Sequence, residues 1–286
     1  MLSTLRKATS LPDHKTINSG RSSAITSLHL ETRQPLQAQP GRAPVVSIDR
    51  LSRQNRLLKA LPDEVWNRIS PHLQLCELPL GSCLIEEAGG LYSQVYFPTN
   101  AIVSLLCMME NGASAQAAMV GIEGMVGLSR FMGIETSACS AVVLSAGYAF
   151  RLPARVLMHE FERTPAVTRL LLCYTQSLIT QVMQSAGCNR LHSIEQQLCR
   201  CLLASLDRLP GDDLTITHEH ISKMIGVRRE GITEAAGKLQ RLGMIRYSRG
   251  HITVLDRPGL EDHACECYSV IKRETERLLP AASWAN

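Results

Sequence analysis

The hydrophobic period of this chain changes at Thr164-Pro165, and that change most restricts what the chain can fold into. Before it, from Leu75 to Pro153, short apolar runs ("QVYFP", "AIVSLLCMM", "AQAAMVG", "SAVVLSAGYAFRLP") are punctuated by nine glycines, by proline and by Asn111-Gly112. Short strands at this spacing close into an antiparallel barrel or roll, and Asn-Gly is a strong hairpin signal. After it, Val167, Leu171, Tyr174, Leu178 and Val182 recur at three- and four-residue steps. Thr164 suits an N-cap and Pro165 the first helical position, so one long helix is expected, running to about Ala186 before Gly187. Its stripe reads as a seam for a second copy of the chain, with packing on the protein's own roll as the alternative.

Around this centre the chain is less regular. Residues 1–45 are rich in Ser, Thr, Arg, Gln and Pro and read as a flexible tail, with a transit peptide as the other reading. Asp49 to Leu73 turns helical. Pro62, Asp63 and Glu64 suit a helix start, and Val65, Trp66 and Ile69 form an apolar stripe. Downstream, "SIEQQLCRCLLASLDRL" is a second amphipathic helix, "PGDD" a turn and "LTIT" a short strand. The segment "RPGLEDHACECYSVIKRETERLL" is helical in pattern.

The totals of the 286-residue chain narrow the functional classes. Hydrophobic residues make up 45%, enough for a real core, and 4% aromatics speak against stacking platforms for single strands. A net charge of +4 leaves the question of nucleic acid to the local distribution of charge. Ten cysteines are scattered without a CxxC pair, and no secretory signal is present. Free thiols in a reducing, cytoplasmic compartment are expected. "HACEC" puts His263 and Cys267 at i and i+4 on one helical face, so a metal or redox site is conceivable. No second ligand pair matches that spacing, and the expectation is no metal and no cofactor. The two longest uncharged runs are interrupted by Gly, Pro, Asn, Ser, Thr and Gln, so no membrane span is expected.

Charge concentrates in "THEHISKMIGVRREGITEAAGKLQRLGMIRYSRGHITVLD", which holds seven Lys/Arg and three Asp/Glu between His218 and Val254. Thr217 can cap a first helix over His218–Ile225, and Gly226 supplies a left-handed corner. A second helix runs from Arg228 or Arg229 to Leu242 and stops at Gly243. Ile232, Ala235, Ala236, Leu239 and Leu242 face inward, while Arg229, Glu230, Thr233, Glu234 and Gly237 face outward. "MIRYS" and "HITVL" flank Arg249-Gly250 as a two-stranded wing with a basic tip. Such a basic helix-turn-helix is the footprint of phosphate contact, with a generic helical hairpin as the bland alternative.

From roughly Leu61 to Asp256 this order of elements resembles the Crp/Fnr family of bacterial transcription regulators. Ile221, Gly226, the Arg229-Glu230 pair, Leu239, Gly243, Ile245 and Ile252 carry the resemblance in the winged helix. "VYFP", Asn111-Gly112 and "GIEGMVGL" look like the family's β-roll sensor domain. The resemblance implies an α+β protein: an N-terminal antiparallel, cyclic-nucleotide-binding-like β-roll, a long dimerisation helix and a C-terminal winged helix-turn-helix. The implied domains are a tail (1–45), a β-roll sensor with flanking helices (46–163), a dimerisation helix (164–190), a DNA-binding domain (191–258) and a C-terminal helical extension (259–286).

It further implies a homodimer on a palindrome in double-stranded DNA, with half-sites ~34 Å apart and RNA polymerase as a partner. Arg229 would read guanine O6/N7 and Glu230 a cytosine amino group. Arg228, Lys238 and Arg249 would hold phosphates. Glu234 would read a second cytosine or orient Arg229 or Lys238. Thr217 and Thr233 complete the expected DNA-facing set. Where nucleotide-responsive members place a Glu for the ribose and an Arg for the cyclic phosphate, this chain has Met125 and Thr136. Gly124, Met125, Gly127, Thr136 and Ser137 therefore read as a degenerate effector pocket that has lost cyclic-nucleotide binding, and the effector is not named by the sequence. No cysteine precedes Cys76, against an N-terminal iron–sulfur sensor. No catalytic set or phosphate-binding glycine loop suggests an enzyme. The competing reading is an interaction module whose winged helix binds protein.

Overall fold

A computed structural model describes residues 48–85, 93–110, 114–134 and 139–279. The expectations for residues 1–45, for Asn111-Gly112 and for Thr136 and Ser137 fall outside the described residues. The chain enters through three short helices, α1 (Ile48–Ser52), α2 (Arg56–Lys59) and α3 (Asp63–Ile69). Buried Asn55 caps α2, its Oδ1 accepting from the Leu57 and Leu58 amides at 3.1 and 3.2 Å. Its Nδ2 donates to the carbonyls of Pro98 and Gly124 at 3.0 and 2.8 Å, tying the entry helices to the roll.

Seven strands follow: β1 (Gln74–Leu78), β2 (Cys83–Ile85), β3 (Gln94–Pro98), β4 (Ile102–Met108), β5 (Ser114–Val120), β6 (Ser140–Ser145) and β7 (Gly147–Pro153). They pair antiparallel as two sheets, β1-β7-β3 and β2-β6-β4-β5. Leu78, Ile85, Val103, Val120 and Val143 fill the space they enclose. This is the antiparallel roll that the glycine-punctuated runs predict.

Helix α4 (Ala154–Arg163) leads into α5 (Pro165–Leu191), 27 residues long. Thr164 sits at the N-cap, but its hydroxyl donates to Glu160 Oε2 at 3.1 Å instead of accepting from a helix amide. Glu160 is buried and also takes a two-pronged bond from Arg68 at 2.8 Å per contact. That guanidinium holds its carboxyl below the usual range. The helix does not stop at Gly187. A glycine costs only about 1 kcal/mol inside a helix, and Cys188 beyond it is fully buried.

The expected dimer seam on α5 needs correction. Val167, Leu171 and Tyr174 are buried in the protein's own core with Leu57, Trp66, Phe97 and Phe150, and Leu178 packs partly against it. Of the five seam residues only Val182 is exposed. The solvent-facing apolar stripe is instead Leu172, Ile179, Val182 and Met183, the last 69% exposed. A helix apolar on two faces shows a helical period in sequence, and the period alone does not say which face the roll takes.

Helix α6 (Ile194–Leu206) opens with a capping box in which Ser193 and Gln196 satisfy each other's backbone. Then come β8 (Asp213–Thr215), α7 (His218–Ile225), α8 (Arg229–Arg241), β9 (Ile245–Ser248) and β10 (His251–Val254), with the sheet order β8-β10-β9. Ile221, Ile225, Ile232, Leu239 and Ile252 build this unit's core. That core runs without a break into Ile102, Met119 and Leu144 of the roll.

The C-terminal segment is two helices, α9 (Arg257–His263) and α10 (Glu266–Leu278), and α10 lies along α5. The break at Ala264–Cys265 removes the shared helical face expected for His263 and Cys267. His263 Nδ1 turns back to the Gly259 carbonyl at 3.0 Å, while Cys267 faces α5. Among the described residues no helix is long and apolar enough to cross a membrane.

Candidate nucleic-acid interface

The α7–α8 corner forms where the sequence supplies each local requirement. The Thr217 hydroxyl accepts from the His220 amide at 3.2 Å and caps α7. Gly226 takes φ +76°, where a Cβ would be strained, and its amide reaches the Ser222 carbonyl at 2.8 Å. Arg228 is the N-cap of α8, and Gly243 lies just past its end at φ +75°. Ile232, Ala235, Ala236 and Leu239 are buried, and the small pair lets α6 approach. A Cβ on Gly231 would stand 2.9 Å from the Ile194 side chain. Leu242 departs from expectation: it is 51% exposed, because the chain leaves the helix there before the core closes.

The outward edge is largely free of intramolecular commitments. Arg228, Arg229, Glu230 and Glu234 are exposed and form no ion pair among the described residues. Lys238 differs: its Nζ holds both carboxylate oxygens of Glu195 at 2.8 and 2.7 Å. A phosphate role for Lys238 requires exchanging that half-exposed partner, which such pairs permit at a cost of about 1 kcal/mol or less. Thr233 is also engaged. Its hydroxyl donates to the Arg229 carbonyl at 3.1 Å, so its oxygen accepts from His218 Nδ1 at 3.1 Å. His218 is buried and stacks on Tyr247, with centroids 4.0 Å apart and planes 21° from parallel. Burial, then the nearby Arg229 guanidinium, push its pKa down, which keeps the ring neutral. This His218–Thr233–Tyr247 cluster backs the N-terminal half of α8, and of the three residues only Thr233 is singled out by the sequence.

The wing is a tight hairpin. His251 pairs with Ser248, leaving a two-residue turn with Arg249 at φ 47° and Gly250 at φ 85°. A turn with both central residues left-handed favours Asn-Gly. An arginine there costs roughly 1–2 kcal/mol, and such outliers point to function. The strained residue is the exposed basic tip itself.

In the roll, the glycine segment faces the long helix. The Tyr174 hydroxyl donates to the Met125 carbonyl at 2.7 Å, and a Cβ on Gly124 would lie 2.5 Å from the Tyr174 ring. Met125 is buried and Gly127 is left-handed, at φ +105°. Next to it, Glu123 Oε1 meets Arg208 Nε at 2.7 Å, with both side chains about one-tenth exposed. The Arg208 stem runs so close to Gly121 that a Cβ there would be 2.8 Å away. This ion pair latches the roll to the end of α6. Beside the latch is a cavity of about 290 Å³ lined by Arg56, Glu123, Arg200, Arg208 and Lys272. Neither the latch nor the cavity is marked by a local motif.

An antiparallel roll, a long helix and a winged helix-turn-helix with an exposed, charged edge make up the fold. Residues 196–263 match the Crp-like helix-turn-helix domain. The same fold is seen in a transcriptional regulator of the Crp/Fnr family from Eubacterium rectale ATCC 33656, with 20% identity over 71% of this chain and 94% of that one and a TM-score of 0.55. It is seen in FixK2 from Bradyrhizobium japonicum, with 13% identity over 68% and 98% of the two chains and a TM-score of 0.57. TTHB099, a CRP-family transcriptional regulator from Thermus thermophilus, is 18% identical over 72% and 100%, with a TM-score of 0.54. No curated protein matches the chain. Residues 196–263 are thus a Crp-like helix-turn-helix domain, set in a chain with the Crp/Fnr fold.

Proposed function

We propose that this protein is a sequence-specific, DNA-binding transcription regulator that acts in the cytoplasm as a homodimer on a palindromic site. The observation that carries the reading is the unpaired edge of α8, with Arg229, Glu230 and Glu234, beside a strained wing tip at Arg249. Arg229 reads guanine and Glu230 a cytosine amino group. Arg228 and Arg249 hold phosphates, joined by Lys238 once it leaves Glu195. Thr217 and Thr233 act chiefly as backbone and side-chain supports of the two helices.

The second copy docks on the Leu172–Ile179–Met183 face of α5. These positions, with Gln176, follow the three- and four-residue steps of a coiled-coil seam. Gln181, on the opposite side, is bound to the Met119 backbone at 2.6 Å and keeps the roll's side of the helix occupied. Cyclic nucleotide is not the expected effector: apolar, buried Met125 stands at the position expected to hold a ribose-binding Glu, which supports that reading. RNA polymerase is the expected downstream partner, and the protein is not an enzyme.

Duplex affinity measured against salt tests this reading and separates it from a protein-binding winged helix. Affinity should fall steeply with salt, and Arg249→Ala should weaken all duplexes alike and reduce the log–log slope by about 1. Affinity insensitive to salt contradicts it.

A further inference from the structure

We propose that Cys188, His192, Cys265 and Cys267 form a binding site for one zinc-class divalent ion, which clamps the α5–α6 junction to the start of α10. The four residues come from two places 77 positions apart. Cys188 and His192 lie one turn apart at the end of α5, where His192 is the C-cap. Cys265 is the N-cap of α10 and Cys267 lies in its first turn. Their ligand atoms all fall within 4.8 Å of one another. Cys188 Sγ is 3.5 Å from Cys265 Sγ, and Cys267 Sγ is 3.5 Å from His192 Nδ1.

Those distances suit a single ion. With Zn–S near 2.3 Å and Zn–N near 2.0 Å, tetrahedral ligand atoms stand about 3.5–3.8 Å apart and no two can exceed about 4.6 Å. Two of the pairs already stand at 3.5 Å, and a pair at the 4.8 Å limit closes by about 1 Å to reach that geometry, within reach of side-chain rotation. Three thiolates and an imidazole are a structural zinc donor set, and hard oxygen-seeking ions are ill matched to it. The cysteines of a polynuclear iron–sulfur cluster ligate different irons and need wider spacing.

The surroundings also fit a metal site better than ordinary packing. Cys199 and Cys201, used as small apolar residues, are absorbed into the large core around α6. Cys188, Cys265 and Cys267 are equally buried but form a cluster of their own, apart from that core. The second nitrogen of His192 lies 3.3 Å from Glu266 Oε1, the carboxylate–histidine arrangement that orients a metal-bound imidazole. Gln184 Nε2 donates to Cys267 Sγ at 3.2 Å. The α10 N-terminus adds a favourable dipole for the thiolates at Cys265 and Cys267.

Binding exchanges the ion for the protons of the three thiols, with no electron transfer. The bound ion would hold His192 in place. The His192 carbonyl accepts from Gln197 of α6 at 2.9 Å, so the ion would fix the joint between the long helix and the winged unit. An effect on DNA affinity rests on the function proposed above; uptake of the ion does not.

The test uses the full chain, reduced and stripped of metal, titrated with cobalt(II) and then zinc(II). The expected result is one cobalt per chain, with the charge-transfer and visible bands of a tetrahedral thiolate site, displaced by one zinc. Cys188→Ser and His192→Gln should weaken zinc binding at least tenfold. Glu266→Gln, at an exposed position, should weaken it about 10-fold with the tetrahedral spectrum retained. Cys83→Ser, at an exposed cysteine of β2, should leave it unchanged. No uptake by reduced, folded protein overturns the proposal, as does uptake unaffected by both ligand variants. A Cys188–Cys265 disulfide forming under mild oxidant in a protein that takes no metal when reduced reassigns the cluster to thiol redox chemistry. Duplex affinity with and without zinc is read separately, so failure of DNA binding leaves the metal result standing.

Discussion

Replacing Arg208 with alanine removes the guanidinium that meets Glu123 at 2.7 Å. The Glu123 carboxylate then keeps one weak donor, the Gly121 amide at 3.3 Å to Oε1, while Oε2 has none. A hydrogen bond to a charged group contributes about 1.5–3 kcal/mol. Stranding a carboxylate this buried raises the cost to about 3–5 kcal/mol. For a folded unit of this size that is a fall of roughly 6–20 °C in Tm. Urea unfolding followed by circular dichroism measures it. The double variant Glu123→Gln/Arg208→Met, which removes both charges and keeps the volume, should recover to within about 1–2 kcal/mol of wild type. Arg208→Ala within about 0.5 kcal/mol of wild type, or a double variant no better than the single, refutes the latch.

Other outcomes follow from the same geometry. Met183→Glu, on the exposed face of α5, should give a folded monomer by analytical ultracentrifugation; a dimer that survives it places the seam elsewhere. His218 has a depressed pKa in the folded state, so the unfolded chain takes up the proton first. Its stabilisation is complete above about pH 6.5 and is lost as pH falls toward the folded value. His218→Phe keeps the ring on Tyr247 and should lose less stability than wild type between about pH 7.5 and 5.5; parallel profiles contradict this.

What could be read from sequence was local. Thr217, Gly226 and Gly243 mark the ends of α7 and α8 because caps and left-handed corners need those residue types within a turn of each other. The roll announced itself through strand-length apolar runs and glycines. The face of α5 did not, since Val167, Leu171 and Tyr174 share the helix with Leu172, Ile179 and Met183, and only the position of the roll decides between them. Glu123 and Arg208 are 85 residues apart, and the cysteine–histidine cluster joins segments equally remote. Each partner looks ordinary where it stands, and "HACEC" pointed to His263 when the fold supplies His192.

The central claim is that α8 reads bases as half of a dimer. Selection of bound duplexes from a random library, run in parallel for wild type and Arg229→Ala, tests it most directly. The expected motif is a palindrome with half-sites about one helical turn apart, ~34 Å. Arg229→Ala should relax the preference at one position per half-site, with a loss of about 1–3 kcal/mol on the selected site. No enrichment, a lone asymmetric site, or an unchanged motif in Arg229→Ala contradicts it.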